Sequence, residues 1–161
     1  TEPEWDSYHC IKERGLWDNR VSNAFGPYDR DHVNHTPETS LILLRNGIVI
    51  GVMSLQETGE HGMGPEIEVR GVAIDPACQG QGYGGIMLMM AESIAAQKGF
   101  KRAGVWSSED ATLFYARNGY IYRPENMPPR LECPVPGCIA MTKRLDLGVA
   151  QNDGSVLIAA A

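Results

Sequence analysis

Val72-Ala73-Ile74-Asp75-Pro76-Ala77-Cys78-Gln79-Gly80-Gln81-Gly82-Tyr83-Gly84-Gly85 reads as the end of an apolar strand, a glycine-rich turn and the first residues of a helix. Glycines at this density let the backbone approach a ligand closely and take positive φ where a turn needs it. The unpaired amides that open the helix, with the partial positive charge of its N-terminus, favour a phosphate or pyrophosphate. A diphosphate-bearing ligand on the amides of residues 79–85 is therefore expected.

Around this turn the pattern is mixed α/β. Residues 41–44 and 48–55 are apolar runs joined by Arg45-Asn46-Gly47, the strongest hairpin signal in the chain. A glycine-rich loop (Gly59, Gly62, Gly64, Pro65) leads to a third strand over 66–74, so the sheet grows as an antiparallel meander. The spacing of Met87, Met90, Ala91, Ile94 and Ala95 predicts a helix over 82–98 closed by Gly99. A strand over 102–106, a helix over 110–118 stopped by Gly119, a strand over 120–123 and a last strand over 138–144 follow. Upstream, Trp5, Tyr8, Ile11, Lys12, Leu16 and Val21 predict an amphipathic helix over 4–20, interrupted near Gly15. Residues 25–40 read as a loop, and its His32 and His35 are candidate substrate contacts. The sequence divides into one domain over 1–145 and a tail over 146–161 that is either flexible or covers a sheet edge.

With 161 residues and 43% hydrophobic content the chain suits a single well-cored domain. A net charge of −6 without any basic run argues against nucleic acid or an anionic membrane as partner. No apolar stretch approaches the roughly 20 residues of a membrane span, and the polar N-terminus is not signal-like, so a cytoplasmic protein is expected. Cys10, Cys78, Cys133 and Cys138 are scattered, which suits reduced thiols. The spacing of Cys133 and Cys138, with no second pair, does not suit a metal site, and no metal is expected.

Two ligands compete for the glycine turn. Gly80, Gly82 and Gly85 satisfy the G-x-G-x-x-G pattern of dinucleotide-binding folds, and Glu109 stands about where a ribose-binding acid would. That fold needs successive parallel β-α-β units, whereas this turn follows an antiparallel meander and precedes one crossover. The other ligand is coenzyme A. The stretch 72–85 resembles the signature of the GNAT superfamily of acyl-CoA-dependent N-acyltransferases, a strand running into Gln/Arg-x-x-Gly-x-Gly/Ala, with Gln79, Gly82 and Gly84 in those places. Ala111-Thr112-Leu113-Phe114-Tyr115-Ala116-Arg117-Asn118-Gly119-Tyr120 is similar to the family's second motif. The order of elements agrees over 41–145. The family's usual first strand is not evident before Trp5, which leaves open that the chain begins inside the domain. Ser108 stands where the family often has an Asn against the pantetheine arm.

The resemblance implies a mixed, mostly antiparallel sheet with flanking helices, whose two central parallel strands splay apart. It assigns acetyl-CoA to the chain, with Val72, Ala73 and Ile74 along the pantetheine arm, Gln79, Gly80, Gln81, Gly82, Tyr83, Gly84 and Gly85 around the diphosphate, and Ser108 beside the arm. Acetyl transfer to a primary amine by direct attack in a ternary complex is then the expected reaction. A lysine-like amine with pKa near 10.4 lies about three units from its neutral form at pH 7, about 4 kcal/mol, so a base helps. Strand alternation puts Glu66, Glu68 and Arg70 on one face. Glu68 matches the family's usual glutamate base and Glu66 is the reserve. Tyr115, whose ordinary pKa near 10 is within about 1.5 units of a thiol's, matches its general acid. Cys78 has no evident His partner and reads as structural. The competing function is an acyl-CoA-binding regulatory module without turnover. The acceptor is expected to be a small-molecule or peptide amine, and a homodimer stays open.

Overall fold

The structure, a computed structural model, describes residues 1–16, 27–31, 38–61, 64–129, 131, 137–145 and 158–160. In chain order these form helix α1 (Glu2–Lys12), strands β1 (Thr39–Arg45), β2 (Ile48–His61) and β3 (Gly64–Ile74), helix α2 (Tyr83–Gln97), strand β4 (Arg102–Ser107), helix α3 (Thr112–Arg117), and strands β5 (Ile121–Tyr122), β6 (Ile139–Arg144) and β7 (Ile158–Ala160). His32, His35, Cys133 and residues 146–157 lie outside the described residues.

The strands form one sheet in the order β5-β6-β4-β3-β2-β1-β7. Every neighbouring pair is antiparallel except β3 and β4, which run parallel through the crossover helix α2. Asn46 and Gly47 both take positive φ, 51° and 77°, as a two-residue hairpin of the expected handedness requires. Ile158–Ala160 pair with β1 at that edge of the sheet.

Helices cover both faces, so the central strands are buried on either side. Leu41 and Leu43 point to the layer of Met87, Leu88, Ala91, Ala95 and Tyr115, whereas Ile42 and Val52 meet Tyr8 and Ile11 of α1. A strand buried on both faces shows no hydrophobic alternation, which is why β1 reads as a continuous apolar run.

The helices begin and end where their termini are satisfied. Thr1 and Glu4 form a capping box at α1, which spans Glu2–Lys12 rather than the expected 4–20; residues 17–20 lie outside the described ones. Gly99 (φ 92°) closes α2, its amide on Ala96 O and that of Phe100 on Ala95 O, a Schellman arrangement. Gly119 (φ 87°) closes α3 in the same way, with the Tyr120 amide on Tyr115 O at 3.1 Å. The helix expected over 110–118 is in fact a 3-10 turn, Glu109–Ala111, followed by six residues of α-helix. The strand expected over 120–123 shrinks to two residues because Tyr120 serves the helix cap and Pro124 ends the pairing.

Candidate active site

The ladder between β3 and β4 is short. Glu66 to Val69 pair with Arg102 to Val105 and the pairing stops there. Beyond that point Arg70, Ala73 and Ile74 stay with β2, while Trp106 and Ser107 stay with β6. The two parallel strands therefore diverge, and the β4-facing backbone groups of residues 70–74 line a cleft. A register shift opposite Met53, with Gly71 at φ 58°, bends β3 where it leaves its neighbour. Gly71 also admits α1: an added Cβ would lie 2.9 Å from Lys12 Cε.

At the mouth of the cleft the glycine turn takes the form its sequence demands. Gly80 and Gly82 have φ of 73° and 83° with open space around them, so their lack of a side chain answers to backbone conformation and to what approaches from outside. Gly84 answers to packing instead, since a Cβ there would meet Phe114 at 3.1 Å. A Cβ at Gly85 would meet Asn118 Oδ1 at the same distance. Gln79 donates its side-chain Nε2–H to Ile74 O at 3.0 Å, bracing the turn against the end of β3. The first intrahelical bond of α2 is Ile86 N–H to Gly82 O, so the amides of residues 82–85 form the helix's unpaired first turn. Tyr83 is half-buried with Arg45 over its ring, and Gln81 reaches back to Ala77 O at 3.4 Å. Open glycines, positive φ and free helix-start amides together fit a diphosphate.

Glu66 and Glu68 share a face of β3, as the alternation predicts, and both are buried. Their electrostatics differ. Glu66 is forked by Arg123, whose Nη1 lies 3.3 Å from Oε2 and whose Nη2 bonds Oε1. Among the described residues Glu68 has no ion pair. Burial, then the charge of Glu66, pushes its pKa up to about 7, against the pull of Arg123, Arg70 and a backbone hydrogen bond from Trp106. Arg70 is turned away, 3.1 Å from Glu38 Oε1 and 2.5 Å from Gln56 Oε1.

Tyr115 enters from the opposite layer. The α3 cap seats it: Tyr120, the residue after Gly119, packs edge-on against its ring at 5.5 Å, and Phe114 does so at 5.0 Å. Burial, then the nearby Glu68 charge, holds its hydroxyl well above the usual phenol range, so it is protonated at any ordinary working pH. Ser108 opens the 3-10 turn before α3 in extended conformation, half-buried at the end of β4.

Thus Glu68 lies at the only parallel step among the described strands, Tyr115 is near enough to feel its charge, and the glycine turn follows the end of β3. Sequence reasoning missed Arg123. Its signal was weak, a lone arginine before a proline-rich stretch, 57 residues from the glutamate that it pairs with.

The acetyltransferase (GNAT) family model matches residues 5–120. Solved structures with the same fold include the Tetrahymena GCN5 structure (TM-score 0.69, 14% identity, covering 92% of this chain and 90% of that one). The ribosomal-protein-S18-alanine N-acetyltransferase of Escherichia coli is also similar, with TM-score 0.63, 16% identity and 92% of both chains covered. So is the PaiA N-acetyltransferase of Thermoplasma acidophilum in complex with coenzyme A (TM-score 0.64, 13% identity, 88% of this chain and 93% of that one). With the family pattern matched across the cleft, the glycine turn and the α3 motif alike, the chain belongs to the acetyltransferase (GNAT) family and is an acyltransferase of the GNAT type.

Proposed function

We propose that the protein is an N-acetyltransferase that passes an acetyl group from acetyl-CoA to a primary amine by direct attack in a ternary complex. The observation that carries this reading is Glu68: a buried carboxylate without an ion pair among the described residues, at the point where β3 and β4 part, with a pKa near 7. A base poised near the working pH combines a large unprotonated fraction with useful strength.

The turn over 79–85 holds the diphosphate through the amides that follow Gln79, whose own N–H donates to Pro76 O, and the β3 edge at Val72, Ala73 and Ile74 runs along the pantetheine arm, with Ser108 on the β4 side. Ile74 contributes less than its neighbours, because Gln79 already occupies its carbonyl. Acetyl-CoA supplies the acetyl group as a thioester, which leaves as a thiolate. Glu68 takes one proton of the ammonium acceptor, the neutral amine attacks the thioester carbonyl, and the second N–H proton that the nitrogen sheds as the amide forms replaces the one that Tyr115 gives to the leaving thiolate. Tyr115 Oη holds the proton that the leaving group requires. Burial and the nearby Glu68 charge raise its pKa where it stands, so it keeps its proton until the leaving thiolate forms beside it. The negative charge of Glu68 also favours a cationic acceptor.

The test is release of free CoA thiol from acetyl-CoA across a panel of primary amines, small and peptidic. Turnover with at least one amine is expected, rising with pH through about 7 as Glu68 ionises. Glu68→Gln should remove that limb and lower kcat, leaving acetyl-CoA affinity nearly intact. Acetyl-CoA binding with no thiol release against any amine would instead establish a non-catalytic acyl-CoA-binding module.

A further inference from the structure

Three charged side chains converge over a residue that has none. A Cβ added to Gly104 would lie 2.6 Å from Arg123 Nη2, from Glu66 Oε1 and from Glu68 Oε2 alike. Gly104 is the β4 residue paired with Glu68, so its bare backbone is the floor on which both carboxylates and the guanidinium sit. Arg123 is anchored there by its own amide on Ala140 O at 2.9 Å, and its Nη1 also lies 3.5 Å from Pro128 O. Glu66 and Arg123 side chains are 1% and 3% exposed, so little water screens the pair.

We propose that the Glu66–Arg123 ion pair, seated on Gly104, is a positioning device that withdraws Glu66 from proton transfer and leaves the fixed Glu68 carboxylate as the single proton acceptor of the cleft. The inference rests on Glu68 being the base. Two buried carboxylates two residues apart on one strand face would otherwise share a proton, and neither would be the defined acceptor. Arg123 decides between them by binding one in a bidentate fork. The other groups facing Glu68 do not undo this. Arg70 of the same strand is held by Glu38 and Gln56, Tyr115 and Tyr120 are neutral, and β4 offers the Trp106 amide.

The experiment is the pH dependence of kcat/KM in three folded variants, with Glu68→Gln as reference. In Glu66→Gln a negative neighbour is lost and Arg123 is left beside Glu68. The acidic limb should move to lower pH by about one unit or more. Arg123→Gln leaves the two carboxylates together, so the limb should broaden into two steps, the upper one above the wild-type position. The double variant Glu66→Gln/Arg123→Gln removes the charges as a pair and avoids the buried unpaired charge that could prevent either single variant from folding. Its limb should lie close to wild type, while kcat falls about tenfold with the KM for acetyl-CoA unchanged, because the Glu68 carboxylate has lost its seat. A purely structural pair would lower stability and leave kcat of the folded double variant at the wild-type value. The proposal is overturned by a wild-type limb in Glu66→Gln or Arg123→Gln, or by a wild-type kcat in the double variant. If Glu68→Gln itself keeps the limb, it is the assignment of the base that fails.

Discussion

At Tyr115 one hydroxyl separates catalysis from packing. The ring is wedged between Phe114 and Tyr120, so Tyr115→Phe keeps both edge-on contacts and should leave the fold unchanged. On the proposed mechanism it removes the proton that the leaving thiolate needs. General acid catalysis is typically worth about 10² to 10⁴ in rate, so kcat should drop by that order with the KM for acetyl-CoA changed far less. The loss should shrink with a thioester of a more acidic thiol, because a better leaving group needs its proton less. Steady-state kinetics with two such donors reads both effects. Wild-type turnover in Tyr115→Phe, with chemistry limiting, would reduce this residue to a packing role.

Among the elements, the glycine turn separates conformational glycines from packing glycines. Gly82 is surrounded by open space at φ 83°, so Gly82→Ala brings only backbone strain, about 1–2 kcal/mol, and redirects the amides of the helix start. Acetyl-CoA affinity should fall at least tenfold while far-UV circular dichroism stays nearly constant; full affinity in the folded variant would remove the diphosphate from this turn. Gly84→Val drives a branched side chain into Phe114 and should instead lower the melting temperature, a loss of about 1–3 kcal/mol from overpacking. The turn, the Asn46-Gly47 hairpin and the Gly99 and Gly119 caps were legible in the sequence because each depends on a residue and its immediate neighbours. The face shared by Glu66 and Glu68 was legible from period-two alternation alone. What the sequence concealed depends on contacts distant along the chain. The divergence of β3 and β4 was implied by resemblance, since apolar residues at 72–74 suit an ordinary buried strand equally well. What distinguishes Glu66 from Glu68 is its ion pair with Arg123, beyond two further helices and strands. The limits of α3 were misjudged because the Schellman cap consumes Asn118 to Tyr120, which read as helix end and strand start.

For the molecule as a whole, a glutamate buried in the sheet, the proposed base, costs stability when it ionises. Glu68 moves from the usual 4.5 of a glutamate to about 7 on folding, chiefly because burial penalises its charged form. Below about pH 4.5 the group is protonated in both the folded and the unfolded chain and has no effect on stability. Between that pH and about 7 the unfolded chain ionises while the folded one keeps its proton. The folded state then binds more protons, and stability falls as pH rises. Above about 7 the loss is complete, at about 3 kcal/mol. Glu68→Gln carries the same shape without the titration, and its carbonyl oxygen can still accept from the Trp106 amide. The variant should therefore melt within a degree or two of wild type near pH 4. As pH rises through the window between 4.5 and 7 it should become progressively the more stable protein, reaching about 6 to 12 °C above wild type at pH 8 for a domain of this size. Scanning calorimetry without ligand at several pH values measures this apart from any assay of turnover. A stability difference that stays constant from pH 4 to pH 8 would mean that Glu68 titrates in the folded protein as it does in the unfolded chain, and the buried base would have to be sought elsewhere.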